Sequence, residues 1–229
     1  MYASSLLRSR IFDGLSPSER DRWLTRSTSS SLKRGETLAR QGEPGRRLAL
    51  VESGFLKLLQ VTADGKELIV RFVSPGEPFG GVAALGDFPY PVTAVAAQPC
   101  VVRIWAREAI AELLRETPQV RLNITREVAM HMTDALTRVR ELTTERVDER
   151  LAHTLLRLIR QCGQASGDGM LITQPLTRQE LADLTGTTLY TVSRTLTKWA
   201  SRGLVESRKR LLFVRSPKRL EALAGGDEG

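Results

Sequence analysis

The stretch Thr177–Trp199, TRQELADLTGTTLYTVSRTLTKW, most constrains this chain, because one glycine interrupts two short amphipathic runs. Thr177 and Glu180 make a capping box: the hydroxyl accepts the Glu180 N–H, and the carboxylate reaches back to the Thr177 N–H. Leu181 and Leu184 give the first run an apolar face. Gly186 can adopt a positive φ and end that helix. Thr187 or Thr188 caps a second helix, with Leu189, Val192, Leu196 and Trp199 recurring at three- and four-residue steps. Its other face carries Tyr190, Thr191, Ser193, Arg194, Thr197 and Lys198. A helix dry on one side, with hydroxyls and cations on the other, suits a DNA major groove. A surface helix pair in any soluble α protein accounts for the same pattern, so the neighbouring sequence has to decide.

Charge favours the first reading. The formal net charge is +8 and the isoelectric point about 10.1, which suits a polyanionic partner. Between Thr177 and Leu220 ten cations, among them Arg178, Arg194, Lys198, Arg208, Lys209 and Arg210, face only Glu180, Asp183 and Glu206. That segment lacks the broad apolar face needed to enter a membrane surface. No apolar run is long enough to span a bilayer. The N-terminus MYASSLLRSRIFDGL lacks the apolar core and cleavage site of a secretory signal, so the expected location is cytoplasmic. At 229 residues the chain has room for two domains with separate cores. Cys100 and Cys162 stand alone in sequence and read as buried thiols. No CxxC, HExxH, Walker loop or nucleophile elbow is present, so the sequence supports neither a metal site nor an enzyme.

Taken in order, residues 1–30 read as helical, with Ser16 and Glu19 forming another capping box around Pro17. From Ser31 to Trp105 short apolar runs alternate with glycines. The runs are Leu48–Val51, Phe55–Val61, Leu68–Val73, Val92–Ala97 and Val101–Trp105, which argues an antiparallel sandwich or barrel. Asp64–Gly65 is the clearest hairpin signal. Helix resumes at Ala106–Thr117, and Pro118 starts a long helix reaching Thr144. Along it Leu122, Thr125, Ala129, Met132, Leu136, Val139 and Thr143 follow a heptad seam, which predicts a parallel homodimer contact. Another helix, Val147–Gln161, leads to GQASGDG (Gly163–Gly169), which reads as a flexible loop. Gly203–Val214 reads as a hairpin whose basic tip, Arg208, Lys209 and Arg210, approaches phosphates. The fold class is α+β, divided as 1–117, 118–146 and 147–229.

This order resembles the CRP/FNR superfamily of bacterial transcription regulators over about residues 11–224. The most specific part is TRQELADLTGTTLYTVSRTLTKWASRGLV (Thr177–Val205), and the glycine-rich half matches through Gly54-Phe-Leu-Lys57, Asp64-Gly-Lys-Glu67 and Pro75-Gly-Glu-Pro-Phe-Gly80. The resemblance implies a cyclic-nucleotide-binding-like β-roll, a dimerisation helix and a winged helix-turn-helix. It implies that an effector in the β-roll repositions two recognition helices on a palindromic operator, where the dimer recruits or blocks RNA polymerase. The FNR branch carries Glu-x-x-Ser-Arg on its recognition helix. Here the positions read Tyr190-Thr-Val-Ser193-Arg194. Arg194 fits a bidentate contact to guanine. Tyr190 cannot accept a cytosine amino hydrogen as a carboxylate does, so the TTGAT half-site is in question at that base. Its ring suits a thymine methyl or a phosphate contact.

The resemblance also bears on the effector. The glutamate and arginine that hold cyclic AMP in its branch fall on Gly81, next to Gly80, and on Val92, with only the hydroxyl of Thr93 retained. The adenine-contacting pair falls on Ala135 and Leu136, near Met132. Cyclic AMP is therefore disfavoured, since its phosphate would lack a charge-assisted partner. Residues 1–30 have no cysteine, so an FNR-type iron–sulfur cluster is not expected. A haem sensor is left open, with His131, His153, Met130, Met132 and Cys100 as candidates by residue type alone. A thiol sensor at Cys100 or Cys162 needs an exposed, acidified thiol. A ligand-binding module with a vestigial helix-turn-helix is the alternative class, and the intact Ser193–Arg194 pair argues against it.

Overall fold

The computed structural model describes residues 4–63, 65, 67–86, 88–208 and 211–226. They belong to two compact units, Met1–Asp134 and Ala135–Gly229. The first opens with α1 (Ser4–Leu7), a 3-10 turn at Arg10–Phe12 and α2 (Pro17–Thr25). Ser16 caps α2 as expected, its hydroxyl accepting from the Glu19 N–H at 3.3 Å. Helix then gives way to strand earlier than the sequence suggests. The strands are β1 (Thr28–Leu32), β2 (Thr37–Ala39), β3 (Arg47–Ser53), β4 (Leu56–Val61), β5 (Glu67–Val73) and β6 (Pro78–Phe79). Helix α3 (Gly81–Leu85) precedes β7 (Thr93–Ala96) and β8 (Cys100–Ala106), and α4 (Arg107–Glu116) leads into the long helix α5 (Pro118–Thr144).

All pairings are antiparallel, in two four-stranded sheets ordered β1-β8-β3-β6 and β2-β7-β4-β5. Burial along β3 follows directly from the two-residue strand period. Ala49 and Val51 enter the core between the sheets, with Leu56, Val73, Ala94 and Val102. Leu48 and Leu50 enter a second core beneath the helices, with Trp23, Leu113 and Ile124. Phe12, Trp23 and Trp105 form the centre of that second core, with ring centroids 5.9 to 6.4 Å apart. The Trp105 indole donates to the Trp23 carbonyl at 2.7 Å, so its polar edge is buried with a partner. The β4–β5 hairpin is present, but Asp64 of its expected turn lies outside the described residues.

In the second unit α6 (Val147–Cys162) runs into β9 (Gly163–Ser166) and β10 (Gly169–Ile172). The GQASGDG segment is thus a hairpin, not a flexible loop. Gly167 takes φ +61° at its turn, and a Cβ on Gly169 would lie 2.4 Å from the Val214 carbonyl oxygen. These glycines serve a tight turn and a close strand approach. Helices α7 (Arg178–Thr185) and α8 (Leu189–Ser201) follow, then β11 (Val205–Arg208), β12 (Leu211–Val214) and α9 (Pro217–Ala224). The expected two-stranded wing is half of a four-stranded sheet ordered β11-β12-β10-β9. Among the described residues no helix is long and apolar enough to cross a membrane.

Candidate nucleic-acid interface

The turn between α7 and α8 is built from the caps read in the sequence. Thr177 Oγ1 accepts from the Glu180 N–H at 3.1 Å, and Glu180 accepts the Thr177 N–H at 2.9 Å. Gly186 ends α7 in the left-handed region at φ 61°, ψ 45°. Thr188 caps α8 by accepting from the Thr191 N–H at 3.2 Å, and the two hydroxyls lie 2.9 Å apart. Thr177, Thr188 and Thr191 thus hold the helix starts.

Val192, Leu196 and Trp199 are buried, and so are Leu181 and Leu184 of α7. Leu189 departs from the expected apolar face at 47% exposure. It opens α8, where the eight-residue α7 offers too few turns to cover it. The opposite face brings Tyr190, Ser193, Arg194, Thr197 and Lys198 together. Tyr190 is 73% exposed, and Arg194 lies over its ring at 5.9 Å from the centroid, within range of a cation–π contact. The face holds no carboxylate.

Arg178 is half-buried, with Nη1 enclosed, which limits its reach toward DNA. On β11 the Arg208 guanidinium stacks on Phe213 at 3.6 Å and donates to Glu206 at 3.0 Å. That hydrogen bond holds the Glu206 carboxyl below the usual carboxylate range. Arg215 ties the same Glu206 and Asp168 together, at 3.5 and 3.0 Å. Arg208 is therefore committed to its own sheet more than a basic tip requires. Lys209 and Arg210 lie outside the described residues.

A second set of residues, not found from sequence, grips the helix-turn-helix from the α5–α6 corner. Arg138 donates to the Leu184 carbonyl at 3.1 Å, and Arg150 Nε to that of Thr185 at 2.9 Å. Arg150 Nη2 reaches the Gly186 carbonyl at 3.4 Å, and Nη1 the Glu145 carbonyl at 2.9 Å. Two cations thereby satisfy the carbonyls left over at the C-terminal end of α7 and oppose its dipole. Beneath them Arg157 donates to both oxygens of the buried Glu141, at 2.6 and 2.8 Å.

The expected effector residues occupy the first unit around α3. Gly80 is its N-cap. A Cβ on Gly81 would meet Ile124 Cγ2 at 3.1 Å, so this position faces the side chains of α5. Val92 packs on the inter-sheet core, and Thr93 Oγ1 accepts from the Gln41 N–H at 3.0 Å. Met132 and Leu136 are 65% and 61% exposed. Cys100 lies in the inter-sheet core, where burial pushes its thiol up to about 11. Cys162 is half-buried, its thiol 3.3 Å from the Leu158 carbonyl. Burial, then Arg71 and Arg10, push His131 down to about 4, so its imidazole is neutral. His153 stands 3.5 Å from Glu145, and Met130 takes a 3.9 Å contact from Arg10.

Comparison with known proteins agrees with this arrangement unit by unit. Residues 29–117 match the cyclic nucleotide-binding domain, and residues 149–223 the Crp-like helix-turn-helix domain. The chain is 32% identical over 218 residues to the cyclic AMP receptor protein of Thermus thermophilus, covering 95% of this chain and 98% of that one. This chain belongs to the CRP/FNR superfamily. The transcriptional activator FnrA of Stutzerimonas stutzeri is another such relative, 32% identical over 195 residues, covering 85% of this chain and 80% of that one. The structure of FixK2 from Bradyrhizobium japonicum superposes with a TM-score of 0.75 at 27% identity, covering 86% of this chain and 96% of that one. As a member of the superfamily the protein is a DNA-binding transcription regulator, with α7 and α8 as its helix-turn-helix.

Proposed function

We propose that the protein acts in the cytoplasm as a homodimer that reads a palindromic operator with one α8 from each subunit. The observation that carries this reading is the exposed, carboxylate-free face of α8, with Arg194 beside Tyr190. Arg194 takes the O6 and N7 edge of guanine, with Ser193 and Lys198 on the flanking backbone. The dimer contact runs along α5 through Leu122, Ala129, Met132, Leu136 and Val139, all exposed in the single chain. Bound in this way, the dimer recruits or blocks RNA polymerase. An effector other than cyclic AMP suits the site better, since Gly81 faces Ile124 and Val92 carries no charge for a phosphate.

The test is a binding titration at fixed salt on a palindrome of FNR-type half-sites beside a scrambled control, with and without cyclic AMP. Specific binding without nucleotide is the expected result. Binding only in its presence would overturn the effector reading. Arg194→Ala should remove about 1–3 kcal/mol of discrimination per half-site, and full retention of operator preference would sink the assigned contact.

A further inference from the structure

A groove of about 370 Å³ lies on the first unit, framed by Arg46, Arg107, Arg115 and Arg121. None of Gly80, Gly81, Val92 and Thr93 lines it, so it is separate from the cyclic-nucleotide position of the family. Its arginines come from three places: the chain between β2 and β3, the exposed side of α4, and the first turn of α5. The lining contains no carboxylate among the described residues.

Helix α4 sorts its charges by face. Glu112 and Glu116 are taken by α2, through Arg26 at 3.2 Å and Arg22 at 3.4 Å. Arg107, Ala111 and Arg115 step along the groove at four-residue intervals, so they share one side of the helix. Arg115 Nε bonds back to the Ala111 carbonyl at 3.3 Å, which lays its guanidinium along the helix. Arg46 and Arg121 have no ion-pair partner among the described residues. Behind the cations the walls are apolar, with Ala84, Leu85, Ile110 and Leu114.

The dimensions narrow the ligand. At 1.5 Å of rise per residue, Arg107 and Arg115 are separated by roughly 12 Å along α4. One phosphate cannot touch both, whereas a chain of phosphates on a nucleoside can. The volume falls within the range of small-molecule sites, roughly 300–1,000 Å³. Guanidinium planes chelate phosphate oxygens and stack on aromatic faces, and the apolar wall accepts a base. We infer that this groove binds a nucleoside polyphosphate, with the phosphates along Arg107, Arg115 and Arg121 and the base against Leu85 and Ile110. Because Arg121 belongs to α5, the bound molecule would join α4 to the start of the long helix.

The experiment is equilibrium titration of the full chain with ATP, then GTP, at physiological salt. It compares the wild type, Arg115→Ala/Arg121→Ala, and Arg194→Ala/Lys198→Ala. The expected result is saturable binding of at least one triphosphate, weakened at least tenfold by the groove pair and unchanged by the α8 pair. Cyclic AMP should not compete. Arg115→Lys/Arg121→Lys keeps the charge and should retain part of the affinity. Unchanged operator binding by the groove variants shows that they fold. Absence of saturation by both nucleotides would overturn the inference. Equal loss in the α8 pair would do so too, by placing the nucleotide on the DNA-reading face. Equal displacement by a glutamate-rich peptide would replace the small ligand with an acidic protein partner.

Discussion

Two residues on opposite halves of the chain show how a single side chain sets chemistry here. Tyr190 stands where the FNR branch has glutamate, and its ring is open to solvent beside Arg194. A ring contributes apolar contact to a thymine methyl and offers no acceptor suited to a cytosine amino group. Tyr190→Glu should therefore raise preference for the FNR-type half-site, by about 1–3 kcal/mol at the affected base pair. Competition binding on half-sites varied at that base measures it, and unchanged preference would reassign Tyr190 to the phosphate backbone. His131 acts instead through its burial. Its folded pKa, about 4, lies below the ordinary value of about 6.5, so the unfolded chain binds the extra proton first. Its contribution to stability is complete above that ordinary value and is lost as pH falls toward about 4. Glu127 works with the opposite sign: burial raises its pKa, so its penalty appears as pH rises. His131→Gln should flatten the decline of the melting temperature between about pH 6.5 and 4. An unchanged slope would remove His131 from the cause.

At the scale of elements, the caps were legible because their partners sit three residues apart, as in Thr177 with Glu180 and Ser16 with Glu19. The seam of α5 and the buried face of α8 were legible through their periodicity. The β9–β10 hairpin was not, since glycine signals a tight turn and a floppy loop with the same letter. Nor was the grip on the α7 terminus, because Arg150 and Arg138 lie 35 and 46 residues from the carbonyls they bind. Hydrogen bonds from charged donors are worth about 1.5–3 kcal/mol each. Arg150→Ala should accordingly lower the stability of the second unit by roughly that amount and weaken operator binding with it. Thermal melting and DNA titration on one preparation check this. Full affinity at a lowered melting temperature would show that the grip supports the fold without orienting α8.

For the whole molecule, the exposed residues of α5 matter most. Met132, Leu136 and Val139 are 65%, 61% and 59% exposed in the single chain, an apolar stripe at coiled-coil spacing. Met132→Glu/Leu136→Glu should give monomers by light scattering, and an unchanged dimer would place the contact elsewhere. On the dimer reading that stripe also makes abundance an input in its own right. Below the dimer dissociation constant the concentration of pairs rises with the square of the monomer concentration. Occupancy of a two-half-site operator would then respond more than proportionally to synthesis and degradation. A cell could set the threshold of the regulated genes by how many copies of this chain it keeps, before any small molecule binds.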